Sequence, residues 1–143
     1  MSFWDSSAIV PLCVYETSSP TAVRIWRQFV ENVIAWNTPI EVISAFARIV
    51  REGKISERRK READLIFVSI EESSTIIPPE TRVIQLARTF PDKYGLKAGD
   101  CIQLASALVW CNENPKNKDF VCGDARLLKA AESAGFTIHD LSS

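Results

Sequence analysis

Histidine is almost missing from this chain; His139 is the only one. With no second histidine, and no C-x-x-C spacing among Cys13, Cys101, Cys111 and Cys122, the residues argue against a zinc site. No G-x-S-x-G elbow is present, and His139 lies at the wrong end of a strand for a Ser-His-Asp triad. A net charge of one sign is missing too. Seventeen Lys+Arg stand against 18 Asp+Glu, a formal charge of -1, so any nucleic-acid contact must come from a local patch. No apolar stretch reaches the length of a membrane span. Asp5 interrupts the apolar start and no basic segment precedes it, so no signal peptide is expected. Repeats, low-complexity tracts and interdomain linkers are also absent. The cysteines fall inside apolar runs, which suits small buried thiols in a reducing compartment. The expectation is a cytoplasmic chain.

What is present has the proportions of an ordinary globule. The 143 residues, 46% hydrophobic and 24% charged, are expected to form a single domain over 1–143 with a sizeable core. Residues 2–5 read as a strand, a helix opens at Ser6 or Ser7, and the segment from Ser7 to Tyr15 carries Pro11, a residue best tolerated in a first helical turn. Ser19-Pro20 reads as an N-cap with proline at N1. Residues 33–36 form a short apolar strand. Thr38-Pro39-Ile40-Glu41 then opens a helix with capping-box spacing. Ser56 starts a long helix through about Ile70, charged in its first turns. Residues 75–77 form a third strand, stopped by Pro78-Pro79. A helix is predicted from Glu80 to about Phe90, and another begins at Asp100. The polar stretch 112–118 is a loop. Phe120-Val121-Cys122 is a strand, Gly123-Asp124 turns into a helix ended by Gly135, and residues 136–138 make a last strand. Strands alternating with helices imply an α/β fold with a parallel sheet covered on both faces.

Four carboxylates share one context in that pattern. Asp5 and Asp124 each follow a strand directly, while Glu41 and Asp100 lie at helix starts. In a parallel sheet the strand-exit edge is one face of the molecule, so these acids can converge. Converging carboxylates raise one another's pKa, and a hard divalent cation removes the conflict. Such an ion suits phosphodiester hydrolysis. Each acid also has a plainer reading. Asp5 and Asp124 can be N-caps, Glu41 can complete a capping box with Thr38, and Asp100 can complement a helix dipole. Asp119 precedes its strand and should point to the opposite edge. Asp64 and Asp92 are expected to be solvated.

The residues that carry these acids also carry a family likeness. Phe3-Trp4-Asp5-Ser6-Ser7-Ala8-Ile9-Val10, Glu41-Val42-Ile43-Ser44-Ala45-Phe46-Ala47-Arg48, Leu96-Lys97-Ala98-Gly99-Asp100-Cys101-Ile102-Gln103-Leu104-Ala105 and Phe120-Val121-Cys122-Gly123-Asp124-Ala125-Arg126-Leu127-Leu128 occur in that order. The chain resembles the PIN-domain ribonucleases, in particular the VapC-like toxins of type II toxin–antitoxin pairs, over essentially its whole length. The resemblance implies a PIN-like three-layer fold with about five parallel strands and helices on both faces. It implies an Mg2+- or Mn2+-dependent endoribonuclease, a hydrolase of RNA. Asp5, Glu41, Asp100 and Asp124 occupy the family's acidic, metal-holding positions, and Ser7 its supporting hydroxyl. It further implies a homodimer and a cognate antitoxin protein as partner. Two positions depart from the pattern. Cys122 stands where a threonine is common, and Gly99 is unusually small and could loosen the helix start at Asp100.

Arg48, Arg126 and the Arg58–Arg61 cluster are the candidate phosphate contacts, the cluster having a solvated, internally paired helix face as its other reading. The tryptophans, Trp4 above all, are expected in the core. A catalytically silent PIN-fold module that binds RNA or protein is the second reading of the chain. An aspartyl-phosphate enzyme would want an aspartate where Ser7 stands. A receiver domain would want a lysine after the Phe120-Val121-Cys122 strand, and none is there.

Overall fold

Every central strand presents apolar side chains to both sides, which only a sheet buried on both faces can satisfy. In a computed structural model that describes residues 1–142, the elements run in this order: β1 (Ser2–Trp4), α1 (Ser6–Cys13), α2 (Ser19–Trp26), β2 (Asn32–Ala35), α3 (Thr38–Arg51), α4 (Glu57–Ser73), β3 (Thr75–Ile77), α5 (Thr81–Ala87), α6 (Phe90–Tyr94), α7 (Ala98–Trp110), β4 (Asp119–Cys122), α8 (Ala125–Ala134) and β5 (Thr137–Asp140). The five strands pair in the order β3-β2-β1-β4-β5, all parallel.

Side-chain alternation along the strands divides the core in two. Phe3, Val33, Ala35, Phe120 and Cys122 face a cluster closed by residues of α5, α6, α7 and α8, among them Val83, Phe90, Leu104 and Leu127. Trp4, Ile34 and Val121 face the other cluster, closed by α1, α2, α3 and α4 through Ile9, Ile25, Phe46 and Phe67. The expected three layers are therefore present. Phe3 stacks on Phe120 at 5.4 Å, while Trp4 meets Trp26 edge-on at 5.0 Å in the opposite layer. Trp4 is fully buried and its indole N–H donates to Ser2 Oγ at 2.9 Å, so it is a core residue as expected.

Several local expectations need correction. Pro11 sits in the last turn of α1, not the first. Helix α2 begins at Ser19 itself. The Ser19 hydroxyl donates to Pro11 O at 2.7 Å and accepts from Glu16 N at 2.8 Å, tying α1 to α2 instead of capping. The helix predicted from Glu80 to about Phe90 ends at Ala87, and a further short helix, α6, follows it, because Pro91 lacks the N–H that a helix interior needs and starts a new helix at its first turn. Asp64 is half-buried and pairs with Lys60 at 3.3 Å rather than being solvated. The long helix α4 starts where expected, with Ser56 Oγ accepting from Arg59 N at 3.1 Å. Among the described residues no helix is long and apolar enough to cross a membrane.

Candidate active site

The strand order places a topological switch point between β1 and β4. The chain leaves β1 toward β2 on one side and leaves β4 toward β5 on the other, opening a crevice at their carboxyl ends. Asp5 and Asp124 are the N-caps of the helices that leave those two strands. Glu41 in the first turn of α3 and Asp100 in the first turn of α7 reach the same crevice. All four line one pocket of about 340 Å³, together with Ser6, Ser7, Glu16, Arg48 and Gly123. The acids named from the sequence are thus brought together from four separate segments. Asp119 sits at the opposite end of β4, bonded to His139 Nε2 at 2.9 Å, and stays outside, as expected.

Asp5, Glu41 and Asp124 are each held by one oxygen. Asp5 Oδ2 accepts from Ser7 N at 3.0 Å and from the Ser7 hydroxyl. Asp124 Oδ1 accepts from Leu127 N at 3.0 Å. Glu41 Oε1 accepts from Ser6 Oγ at 2.7 Å, Gln103 Nε2 at 3.0 Å and, weakly, Asn37 Nδ2 at 3.4 Å. Among the described residues Asp5 Oδ1, Glu41 Oε2, Asp124 Oδ2 and both oxygens of Asp100 have no hydrogen-bond partner. Capping and site membership coexist at Asp5 and Asp124. They do not at Glu41. Thr38 is not a cap, because the N-cap is Asn37 with no side-chain cap bond, and Glu41 reaches across to Ser6 and Gln103 instead.

Burial and crowding make ionisation costly here. Burial, then the charges of Asp100 and Glu41, push Asp5 up to about 7 against its Ser7 hydrogen bonds. Asp100 rises to about 6 through burial, with the charges of Asp124 and Glu41 adding and those of Lys97 and Arg126 opposing. Among the described residues no three His, Cys, Asp or Glu side chains already stand in a metal-coordinating arrangement. Asp5, Glu41, Asp100 and Asp124 share the pocket. Their donor set is nonetheless hard oxygen. The one sulfur nearby, Cys122, is kept a thiol because burial and the Asp5 charge push its pKa up. Oxygen donors with free lone pairs fit Mg2+ or Mn2+ better than a soft ion.

The two departures from the family pattern take on defined roles. A Cβ on Gly99 would stand 2.5 Å from Glu41 Oε2, so the missing side chain leaves room for that carboxylate rather than loosening α7. The Cys122 thiol lies 3.5 Å from both Asp5 Oδ2 and Ser7 Oγ and accepts from Asp124 N at 3.3 Å. It fills the place of a hydroxyl with a weaker hydrogen-bonding group. Ser7 Oγ also accepts from Gly123 N at 2.8 Å, which locks the ends of β1 and β4 together.

The candidate cations divide. Arg48 lines the pocket and pairs loosely with Glu52 at 3.6 Å. Arg126 lines an adjoining groove instead. Arg58 and Arg59 pair with Glu62 on an exposed face of α4, so the solvated reading holds for them. Sequence reasoning missed Gln103, which is fully buried and donates to Asn37 Oδ1 at 2.8 Å, Thr38 Oγ1 at 3.0 Å and Glu41. The signal was available. Gln103 lies one helical turn after Asp100, the one amide side chain in a largely apolar run.

No protein-family model matches the chain, and no curated protein matches it. Solved structures do. A chain of a toxin–antitoxin complex from Klebsiella pneumoniae aligns with TM-score 0.62 at 18% identity, over 96% of this chain and 97% of that one. PAE2754 from Pyrobaculum aerophilum aligns with TM-score 0.66 at 15% identity, over 99% and 89%. FitAcB from Neisseria gonorrhoeae aligns with TM-score 0.66 at 14% identity, over 99% of each chain. With the five-stranded parallel sheet and its two helical layers, these likenesses define the fold as PIN-like α/β.

Proposed function

We propose that this protein is a divalent-metal-dependent endoribonuclease and the toxin of a toxin–antitoxin pair. The observation that carries the reading is the convergence of Asp5, Glu41, Asp100 and Asp124 at the β1–β4 switch point, every one with an oxygen left uncommitted. Asp5, Glu41 and Asp100 would hold Mg2+ or Mn2+, and Asp124 would complete the set directly or through water. Such an ion supplies water activation and neutralises charge developing on a phosphoryl oxygen. The chain's own groups do the positioning. Ser7 fixes Asp5, and Ser6 with Gln103 fixes Glu41, so the free oxygens are preorganised. Arg48 at the pocket wall is placed to meet a phosphate.

The toxin part of the proposal rests on the fold shared with a chain of the Klebsiella toxin–antitoxin complex. A cognate antitoxin and a homodimer are its expected partners. A metal-free module that only binds RNA or protein is the competing reading, and the lack of a ready-made metal cluster is what favours it. RNA cleavage with Mg2+ or Mn2+, with and without chelator, on wild type and Asp5→Asn separates the two. The nuclease reading expects cleavage by wild type only, lost on chelation. Equal, chelator-resistant cleavage by both proteins, or none by either, removes it.

A further inference from the structure

Beside the acidic pocket lies a second groove, of about 650 Å³, between the end of α6 and the outer face of α8. Its walls carry Lys93, Tyr94, Arg126, Lys129 and Ser133. Arg126, Lys129 and Ser133 fall on one face of α8, at i, i+3 and i+7. Lys93 and Tyr94 close α6, which Gly95 terminates in the left-handed conformation at φ 66°. None of the three cations takes part in an ion pair among the described residues, whereas Arg48, Arg58, Arg59 and Lys60 each do. Three cations around one groove, none held in a close ion pair among the described residues, repel one another and are relieved by an anion. Tyr94 adds an aromatic face. It is half-buried, braced by Phe90 at 5.2 Å, and Lys93 Nζ stands 5.2 Å from its ring centre.

The groove begins where the pocket ends along the chain, Asp124 lining the pocket and Ala125 and Arg126 the groove. Arg126 lies two residues after Asp124 in the first turn of α8, and its charge is felt at Asp100. A polymer whose scissile phosphate sits among the acids must leave the pocket somewhere, and this is a cationic way out.

We propose that the α6–α8 groove is a track for single-stranded RNA, with Arg126, Lys129 and Lys93 on successive phosphates and a base stacked on Tyr94. The proposal deepens the nuclease reading and rests on it for the identity of the polymer. Cations alone would suit an acidic peptide equally. A half-buried ring held among them suits an unpaired base, since stacking on aromatics is how single strands are held without sequence preference. A duplex would hide its base faces from Tyr94.

The test uses the full chain and a short fluorescein-labelled oligouridylate. Binding is followed by anisotropy in EDTA over a salt series, and cleavage of the same oligonucleotide is followed with Mn2+. Removing two phosphate contacts in Lys93→Gln/Lys129→Gln should lower the salt slope by about 1.4, at about 0.7 per phosphate on a single strand. Tyr94→Ala should weaken binding about five- to a hundredfold with the slope unchanged, and Tyr94→Phe should restore it. Lys93 and Lys129 are exposed, so their double variant should melt like wild type, while Tyr94→Ala loses packing on Phe90 and is compared with wild type below its own melting temperature. If wild type cleaves the RNA but these variants bind it as wild type does, the track is overturned and the nuclease reading stands. If wild type binds without cleaving and the variants lose affinity, the track stands and the nuclease reading falls. Loss of affinity for an oligoglutamate peptide with RNA binding intact assigns the groove to an acidic protein and overturns the proposal.

Discussion

Asp5 carries the sharpest conflict between stability and the proposed function. Its carboxyl is buried at the end of β1, and burial with neighbouring charge lifts it to about 7, while Asp100 is lifted to about 6. An unfolded aspartate titrates near 3.8, so between about pH 4 and 7 the folded protein holds protons that the unfolded chain does not. The stability these two groups contribute is therefore present below pH 4 and lost as pH rises through 6 and 7. Metal-free protein should lose melting temperature over that window. Asp5→Asn keeps an N-cap of equal quality. At pH 8 it should stabilise the metal-free protein by on the order of 2–4 kcal/mol, measured by urea unfolding, while abolishing cleavage. A destabilised Asp5→Asn at pH 8 would contradict the buried-charge account. Gly99 poses the opposite test. Gly99→Ala improves helix propensity by roughly 0.5–1 kcal/mol but drives a methyl group against Glu41 Oε2. Thermal stability should hold, and affinity for Mn2+ should fall about 10–100-fold, as when a supporting group of a metal site is disturbed. Unchanged Mn2+ affinity would show that Glu41 is not a ligand.

Helix starts explain which parts of the site could be read in advance. Asp5 and Asp124 follow short apolar strands and precede helices, so their place at the strand exits was legible, and both turned out to cap as well. Glu41 was legible as a helix-start acid but not by its partners, because a carboxylate three residues after a threonine looks the same whether it bonds its own backbone or reaches another helix. Only packing puts Ser6 of α1 and Gln103 of α7 within its reach. Gly99 illustrates the same limit, since its clearance is set by α3 and not by α7's own sequence. The break between α5 and α6 follows from Pro91 and could have been read. The link from α7 to α3 through Gln103 has its own consequence. Gln103→Leu leaves the buried Asn37 Oδ1 and Thr38 Oγ1 without this donor, takes one of three donors from Glu41 Oε1, and should cost about 1–3 kcal/mol in chemical denaturation, a larger loss than an exposed Arg58→Ala. Equal effects of the two would remove the clamp from the argument.

At the scale of the whole molecule, a near-neutral chain separates its charges by face. Acids gather at the switch point, cations in no ion pair among the described residues flank them along α8, and Arg58 and Arg59 of α4 share Glu62. The strand order, which alternation alone did not specify, is what makes the separation possible, because β1 and β4 are central and their exits adjoin. A divalent ion that binds the folded chain and competes with protons should raise melting temperature more at pH 8 than at pH 5.5, checked by thermal scans with and without Mn2+. A larger gain at pH 5.5 would place the ion away from these carboxylates. The most direct measurement is a crystal structure of Mn2+-soaked protein read by anomalous scattering. The account predicts a manganese peak among Asp5, Glu41, Asp100 and Asp124, and its loss in Asp5→Asn crystals. A pocket without manganese at saturating Mn2+, or a peak unchanged in Asp5→Asn, contradicts it.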